Sequence, residues 1–245
     1  MINSLINSKF FAGLTATVAF TGVMTNAGIA NALVKTYTDT FELAPTDITD
    51  ALLSVQKFDG NLGELQSVTI GFDGQIVGDA LVESLDAQAQ TLTFTLGGTL
   101  TLLGDEILNN PLFEEAVSAS ASFEATAFDG VMDFSGTSGK SFEGLIATLS
   151  GENLYDDQAV LDFFTGAENV EFLFSASTDS KVTGAANIFA GITTQAGASV
   201  SVTYAYEVID GDVLSERVPE PSAILGLGLF AGAGFLSKRK VSSKA

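Results

Sequence analysis

From Thr91 the chain reads Thr-Leu-Thr-Phe-Thr-Leu, passes Gly97-Gly98 and resumes Thr-Leu-Thr-Leu to Leu102. This period of two is the signature of a half-buried strand, whose successive side chains point to opposite faces. Leu92, Phe94, Leu96, Leu100 and Leu102 fall on one face and the threonines on the other. The alternation returns at Val68, Ile70 and Phe72, at Val170, Phe172 and Phe174, and along Val200, Val202, Tyr204, Tyr206 and Val208. Val117, Ala119, Ala121, Phe123 and Ala125 alternate with Ser118, Ser120, Ser122 and Glu124, and Val34 to Phe41 reads as the opening strand. Turn signals punctuate these runs: Asp59-Gly60, Asp73-Gly74, Gly97-Gly98, Asn109-Asn110-Pro111, Asp129-Gly130, Gly136 to Gly139 and Asp210-Gly211. Only Asp156 to Phe164 reads as a short helix, with Ala159, Val160 and Phe163 at helical spacing.

Many strands with one apolar face each require two sheets packed apolar face to apolar face. The expected fold is therefore all-β, an antiparallel jelly-roll-like β-sandwich. Leu92, Phe94, Val202, Tyr204, Phe172 and Ile70 should share one core, with Thr93, Thr95, Thr203 and Glu171 largely exposed.

The ends of the chain follow a different logic. Lys9 precedes an apolar stretch from Phe10 to Val23, and no acidic residue occurs before Asp39. Ala30-Asn31-Ala32 then provides a small-x-small site, so residues 1–32 read as a secretory signal helix cut after Ala32 by signal peptidase. At the other end, Val218-Pro219-Glu220-Pro221 precedes an apolar, glycine-punctuated run from Ala223 to Leu236 and the basic cluster Lys238-Arg239-Lys240. The two prolines hold the motif extended. The apolar run is a short hydrophobic helix that reaches only about 21 Å, against a hydrocarbon core of roughly 30 Å. The basic cluster sets topology by staying on the cytoplasmic side. This tail, residues 218–245, resembles the PEP-CTERM sorting signal of bacterial surface proteins. The resemblance implies recognition at Pro-Glu-Pro and processing by an exosortase-type enzyme, with the membrane as a provisional anchor.

Residues 33–217 remain as the exported domain. They hold 29 of the 30 acidic residues and five of the ten basic ones, a net charge of −24. Such a surface repels nucleic acid, which is excluded as a partner. The chain has no cysteine, histidine or tryptophan. Thiol chemistry, thiolate metal sites, histidine general bases and histidine-ligated metals are excluded with them. Chemistry resting on carboxylates alone survives.

Phe58-Asp59-Gly60-Asn61-Leu62-Gly63 with Leu65 to Ile70, Phe128-Asp129-Gly130, Asp133 to Gly139, Phe163 to Gly166 and Thr194 to Ala198 resemble the choice-of-anchor E family. In that family an exported domain is joined to interchangeable C-terminal anchors. Gly60 stands where the family often has proline. The resemblance implies export and surface attachment, in bacteria that make extracellular polysaccharide, and it carries no activity and no functional residues.

Asp59, Asn61 and Glu64 place oxygen ligands near one another, the pattern of a calcium loop without its distal glutamate. As the start of a turn, Asp59 serves equally to bond local N–H groups. Asp156, Asp157 and Asp162 present the same choice between a cation and a helix cap. Calcium is the one cofactor this pattern leaves room for; otherwise no cofactor, metal site or catalytic residue is expected. The threonine row Thr91, Thr93, Thr95, Thr99 and Thr101 offers a hydroxyl surface for sugar or ice if a second row matches it; otherwise threonine is simply a favoured residue on the solvated face of a strand. The sequence reads as an exported, non-enzymatic surface or matrix protein associated with extracellular polysaccharide and biofilm. A carbohydrate-binding, lectin-like module is the alternative, and a carboxylate-based hydrolase the third reading.

Overall fold

The computed structural model describes residues 20–23 and 33–208. The chain divides into two units, Met1–Ile209 and Asp210–Ala245, and all described residues belong to the first.

Ten strands follow one another: β1 (Phe20–Val23), β2 (Leu33–Pro45), β3 (Ile48–Gln56), β4 (Glu64–Ser84), β5 (Gln90–Leu103), β6 (Phe113–Ala125), β7 (Gly139–Tyr155), β8 (Asn169–Thr178), β9 (Lys181–Thr183) and β10 (Ile188–Glu207). Among the described residues one α-helix, α1 (Gln158–Phe164), lies between β7 and β8. The first sheet has the order β1-β2-β10-β4-β7, and the second β3-β8-β5-β6 with β9 paired to β5. All strand pairings are antiparallel. Consecutive strands repeatedly cross from one sheet to the other. With β1 and β9 set aside, this is the strand order of a jelly roll, two Greek keys wound into a sandwich.

The shared core forms as the alternation requires. Leu92, Phe94, Val202, Tyr204, Phe172 and Ile70 are all fully buried in one cluster. Their neighbours split. Glu171 is exposed, but Thr93, Thr95 and Thr203 are half-buried. The difference is position: β5 and β10 are flanked on both sides at these threonines, which the adjacent side chains shield, whereas Glu171 precedes the stretch of β8 that pairs with β5 and has only β3 beside it. Thr203 Oγ1 lies 2.9 Å from Thr36 Oγ1, and Thr93 Oγ1 lies 3.0 Å from Ser122 Oγ.

Several sequence expectations are corrected. Asp73-Gly74 and Gly97-Gly98 are not turns; they lie inside β4 and β5. Their glycines answer to packing. A Cβ at Gly78 would stand 2.5 Å from Leu96 Cδ1, one at Gly98 2.5 Å from Ile76 Cδ1, and one at Gly74 3.2 Å from Leu100 Cδ1. Each sheet leaves a notch for a large side chain of the other. The helix begins two residues later than expected and buries Val160, Leu161 and Phe164, while Ala159 is exposed and Phe163 half-buried. Val208 lies past the end of β10 and is exposed. The close of the apolar stretch assigned to the signal helix, Phe20–Val23, is a strand, running antiparallel against Val23↔Leu33 to Phe20↔Thr36. The open edge of β2 satisfies backbone groups that a helix would satisfy within itself.

Tyr204 ties the two layers together. Its ring meets Phe58 at 5.8 Å, Tyr37 at 6.1 Å and Phe164 at 6.1 Å between centroids. Its hydroxyl donates to the carbonyl of Gln56, 2.9 Å away at the end of β3. Burial pushes the Tyr204 phenol well above its ordinary value of 10.0, and the neighbouring Tyr37 adds to the rise. The folded state therefore holds this proton more tightly than the unfolded chain. Its contribution to stability is complete below about pH 10 and declines as pH rises from there towards the folded value. Tyr204→Phe should lose about 0.5–1.5 kcal/mol at pH 7 through the missing hydrogen bond. Urea titrations at pH 7 and above pH 10 should show a flatter alkaline decline in the variant than in the parent protein.

Candidate functional site

The residues of the calcium pattern lie on a local turn. Asp59 precedes a 3-10 turn, Gly60–Leu62, and its Oδ1 accepts from the Asn61 backbone N–H at 3.0 Å and from Asn61 Nδ2 at 2.7 Å. Glu64 opens β4 and is exposed. Asp157 takes the N-cap position of α1 without a side-chain cap bond, and Asp162 accepts from Gln158 Nε2 at 2.8 Å. Among the described residues no three acidic side chains gather where they could hold a metal ion. Ala30, Ala32, the motif Val218 to Pro221 and Lys238, Arg239 and Lys240 lie outside the described residues.

Acidic side chains elsewhere in the sandwich serve singly as acceptors. Asp39 takes the N–H of Ser54 at 2.7 Å, Asp79 that of Gly144 at 2.7 Å, and Asp86 those of Ala186 and Asn187 at 2.9 and 3.2 Å. Asp73 accepts from the Ser150 hydroxyl at 2.6 Å. In a domain with so few cations, backbone N–H groups and hydroxyls take the place of ion-pair partners.

The exception is Glu83, fully buried near the end of β4. Strand parity places it on the outer face, opposite Phe189 of β10 and Gly139 of β7. It is out of solvent because the segment 126–138 folds over it. That segment is fixed by Thr126 N–H to Thr137 O at 2.8 Å, Phe128 N–H to Asp86 O at 2.8 Å and Ser84 N–H to Ser138 O at 2.9 Å. Phe134, held at a left-handed φ of 56°, donates its N–H to Glu83 Oε2 at 2.8 Å, and its ring lies 5.7 Å from that of Phe189. Gly139 leaves room for the carboxylate, since a Cβ there would collide with Oε2. Glu83 Oε1 and the hydroxyls of Ser84 and Ser138 have no protein partner. Val131 and Met132, on the same segment, face solvent. Sequence reasoning missed Glu83 because alternation gives a side chain's face but not a loop that later covers it. Gly139 directly opposite was the one available signal.

On the outer face of the second sheet the threonine row acquires the partners it needed. Thr93 pairs with Ser122 and Thr95 with Ser120 on β6, while Thr99 and Thr101 pair with Ser177 and Ser175 on β8. Hydroxyl rows therefore repeat at roughly 4.8 Å across the strands and about 6.8 Å along them. Charged residues border this array: Glu114 stands opposite Thr101, Glu124 opposite Thr91, Glu171 on β8, and Lys181 of β9 opposite Thr95.

No family model matches the chain, and no curated protein does. Among solved structures, a T13 particle of infectious bursal disease virus aligns at 11% identity over 89% of this chain and 52% of that one, with a TM-score of 0.20. The Gx strain of the same virus aligns at 12% identity over 80% and 43%, with a TM-score of 0.16. The chain spans about half the length of these viral chains, and likeness at such scores carries no argument about fold or function.

If Glu83 fixes the covering segment, Glu83→Ala should free it while the two sheets persist. Hydrogen exchange should then rise at Phe134 and Ser135, with β4 and β10 still protected. The buried acceptor's loss should cost about 1–3 kcal/mol in urea titration.

Proposed function

We propose that this is an exported, non-enzymatic surface or matrix protein, delivered by its signal segment and sorted through its C-terminal tail by an exosortase-type enzyme. Its setting is the extracellular polysaccharide of a biofilm. The observation that carries this reading is the three-part tail in the sequence: Pro219-Glu220-Pro221, an apolar run too short for a comfortable span, and Lys238-Arg239-Lys240 behind it. The resemblance to the choice-of-anchor E family supports the same route. Glu220→Ala should leave export intact and retain the precursor in the membrane. Mass spectrometry of protein released by the native host should find no Ser222–Ala245 segment; an intact tail on that material would refute sorting by cleavage.

The hydroxyl array on the second sheet favours one further reading, a carbohydrate-binding face. In a domain of net charge −24, a patch of threonine and serine bordered by Lys181, Glu114 and Glu124 fits a neutral polysaccharide, whose repeated hydroxyls both donate and accept. The full-length protein should then co-sediment with cellulose and not with alginate, and Thr95→Asp with Ser120→Asp should reduce retention at least tenfold. Equal retention of that variant would remove the face from consideration.

A further inference from the structure

The chain enters and leaves the sandwich at the same end. Leu33, at the start of β2, pairs with Tyr206, and Glu207, at the close of β10, pairs with Glu64 at the start of β4. The opposite end holds Pro45, Ser84 and Ile188. β10 thus runs the full height of the first sheet towards the tail. Every residue from Ile188 to Glu207 has a partner on β4, and from Gln195 to Tyr206 it is also flanked by β2. Just before the exit, Tyr206 and Tyr204 pack on Phe58 at 5.0 and 5.8 Å. Gly63 lies so close to the Glu207 carbonyl that a Cβ could not fit between them.

We propose that this geometry makes the domain a tension-bearing link between its C-terminal tail and whatever holds its body. The proposal rests on the reading that the tail holds the precursor in the membrane until it is processed. A pull on Val208 is directed along β10 and loads the ladders to β4 and β2 lengthwise. Many backbone hydrogen bonds then share the force and must yield together. The other direction of loading is weak. A pull between Val208 and Leu33 acts on two adjacent strands at the same end, where the ladder opens one pair at a time. Removal of the signal segment relieves the protein of that weak direction, because Leu33 becomes a free end and tension can enter only through the body. The side chains reinforce the same path: to slide, β10 must drag Tyr204 past Phe58 and break its bond to Gln56, which belongs to the other sheet.

The chain contains no cysteine, so introduced pairs define the points of pull without ambiguity. Two lengthwise pairs, Val208→Cys with Leu81→Cys and Val208→Cys with Leu43→Cys, place the second handle towards the far end of β4 or β2, at exposed positions. The peeling pair is Val208→Cys with Leu33→Cys. Single-molecule stretching of the full chain in detergent should give a higher unfolding force for either lengthwise pair than for the peeling pair. Near-ultraviolet circular dichroism identifies the variants that keep the native packing, and one folded lengthwise pair suffices for the comparison. A lengthwise force equal to or below the peeling force would overturn the proposal. All handles lie within residues 33–208, so this outcome is independent of whether the tail is cut, which the mass measurement on released protein decides.

Discussion

The two sheets approach so closely that each must leave gaps for the other, and the rest of the fold depends on that interlock. Gly78 admits Leu96, Gly98 admits Ile76, and Gly74 leaves space for Leu100. Interiors packed at crystal-like density tolerate neither a void nor an extra methyl at such points. The notches therefore fix the offset of β4 against β5, and with it the alignment of every strand bonded to either. Leu92, Phe94, Ile70 and Val202 reach full burial because the notches bring the two faces together. The same glycines weaken their strands locally, since glycine lacks a side chain to pack and loses more entropy on ordering. Strands as long as β4 and β10 bear that loss because both are flanked on two sides.

What was legible in the sequence follows from this. Alternation identified the inward faces of β4, β5, β8 and β10 nearly residue by residue, because burial imposes it directly. Asp73-Gly74 and Gly97-Gly98 were misread as turns because a glycine demanded by a neighbouring sheet looks the same as one demanded by a bend. The threonines of β5 and β10 were judged too exposed because a single strand carries no record of what flanks it. Glu83 was invisible for a related reason: its cover comes from residues about fifty positions further on, pinned by its own carboxylate at the Phe134 N–H. The turn at Asp59 was readable from its Asp-Gly-Asn run, and the neighbouring Asn61 bonds one oxygen of its carboxylate.

The charge of the domain acquires a structural meaning as well. With five basic residues against 29 acids, ion pairs cannot neutralise the surface. Carboxylates such as Asp39, Asp79 and Asp86 instead accept N–H groups at edges and turns. Exposed ion pairs contribute little to stability in any case, whereas a backbone donor near a strand end benefits from an acceptor that carries full charge.

The placement of β10 also governs when the molecule can fold. β2 and β4 do not pair with each other; both pair with β10, the last strand of the domain. A chain that crosses a membrane amino terminus first therefore delivers most of the sandwich before the central strand of the first sheet has emerged. Until then that sheet has no middle, and its long-range pairings have no partner. In any chain that emerges amino terminus first, β4 with β7 and the second sheet can pair early, but the first sheet closes only after the last residues of β10 have followed.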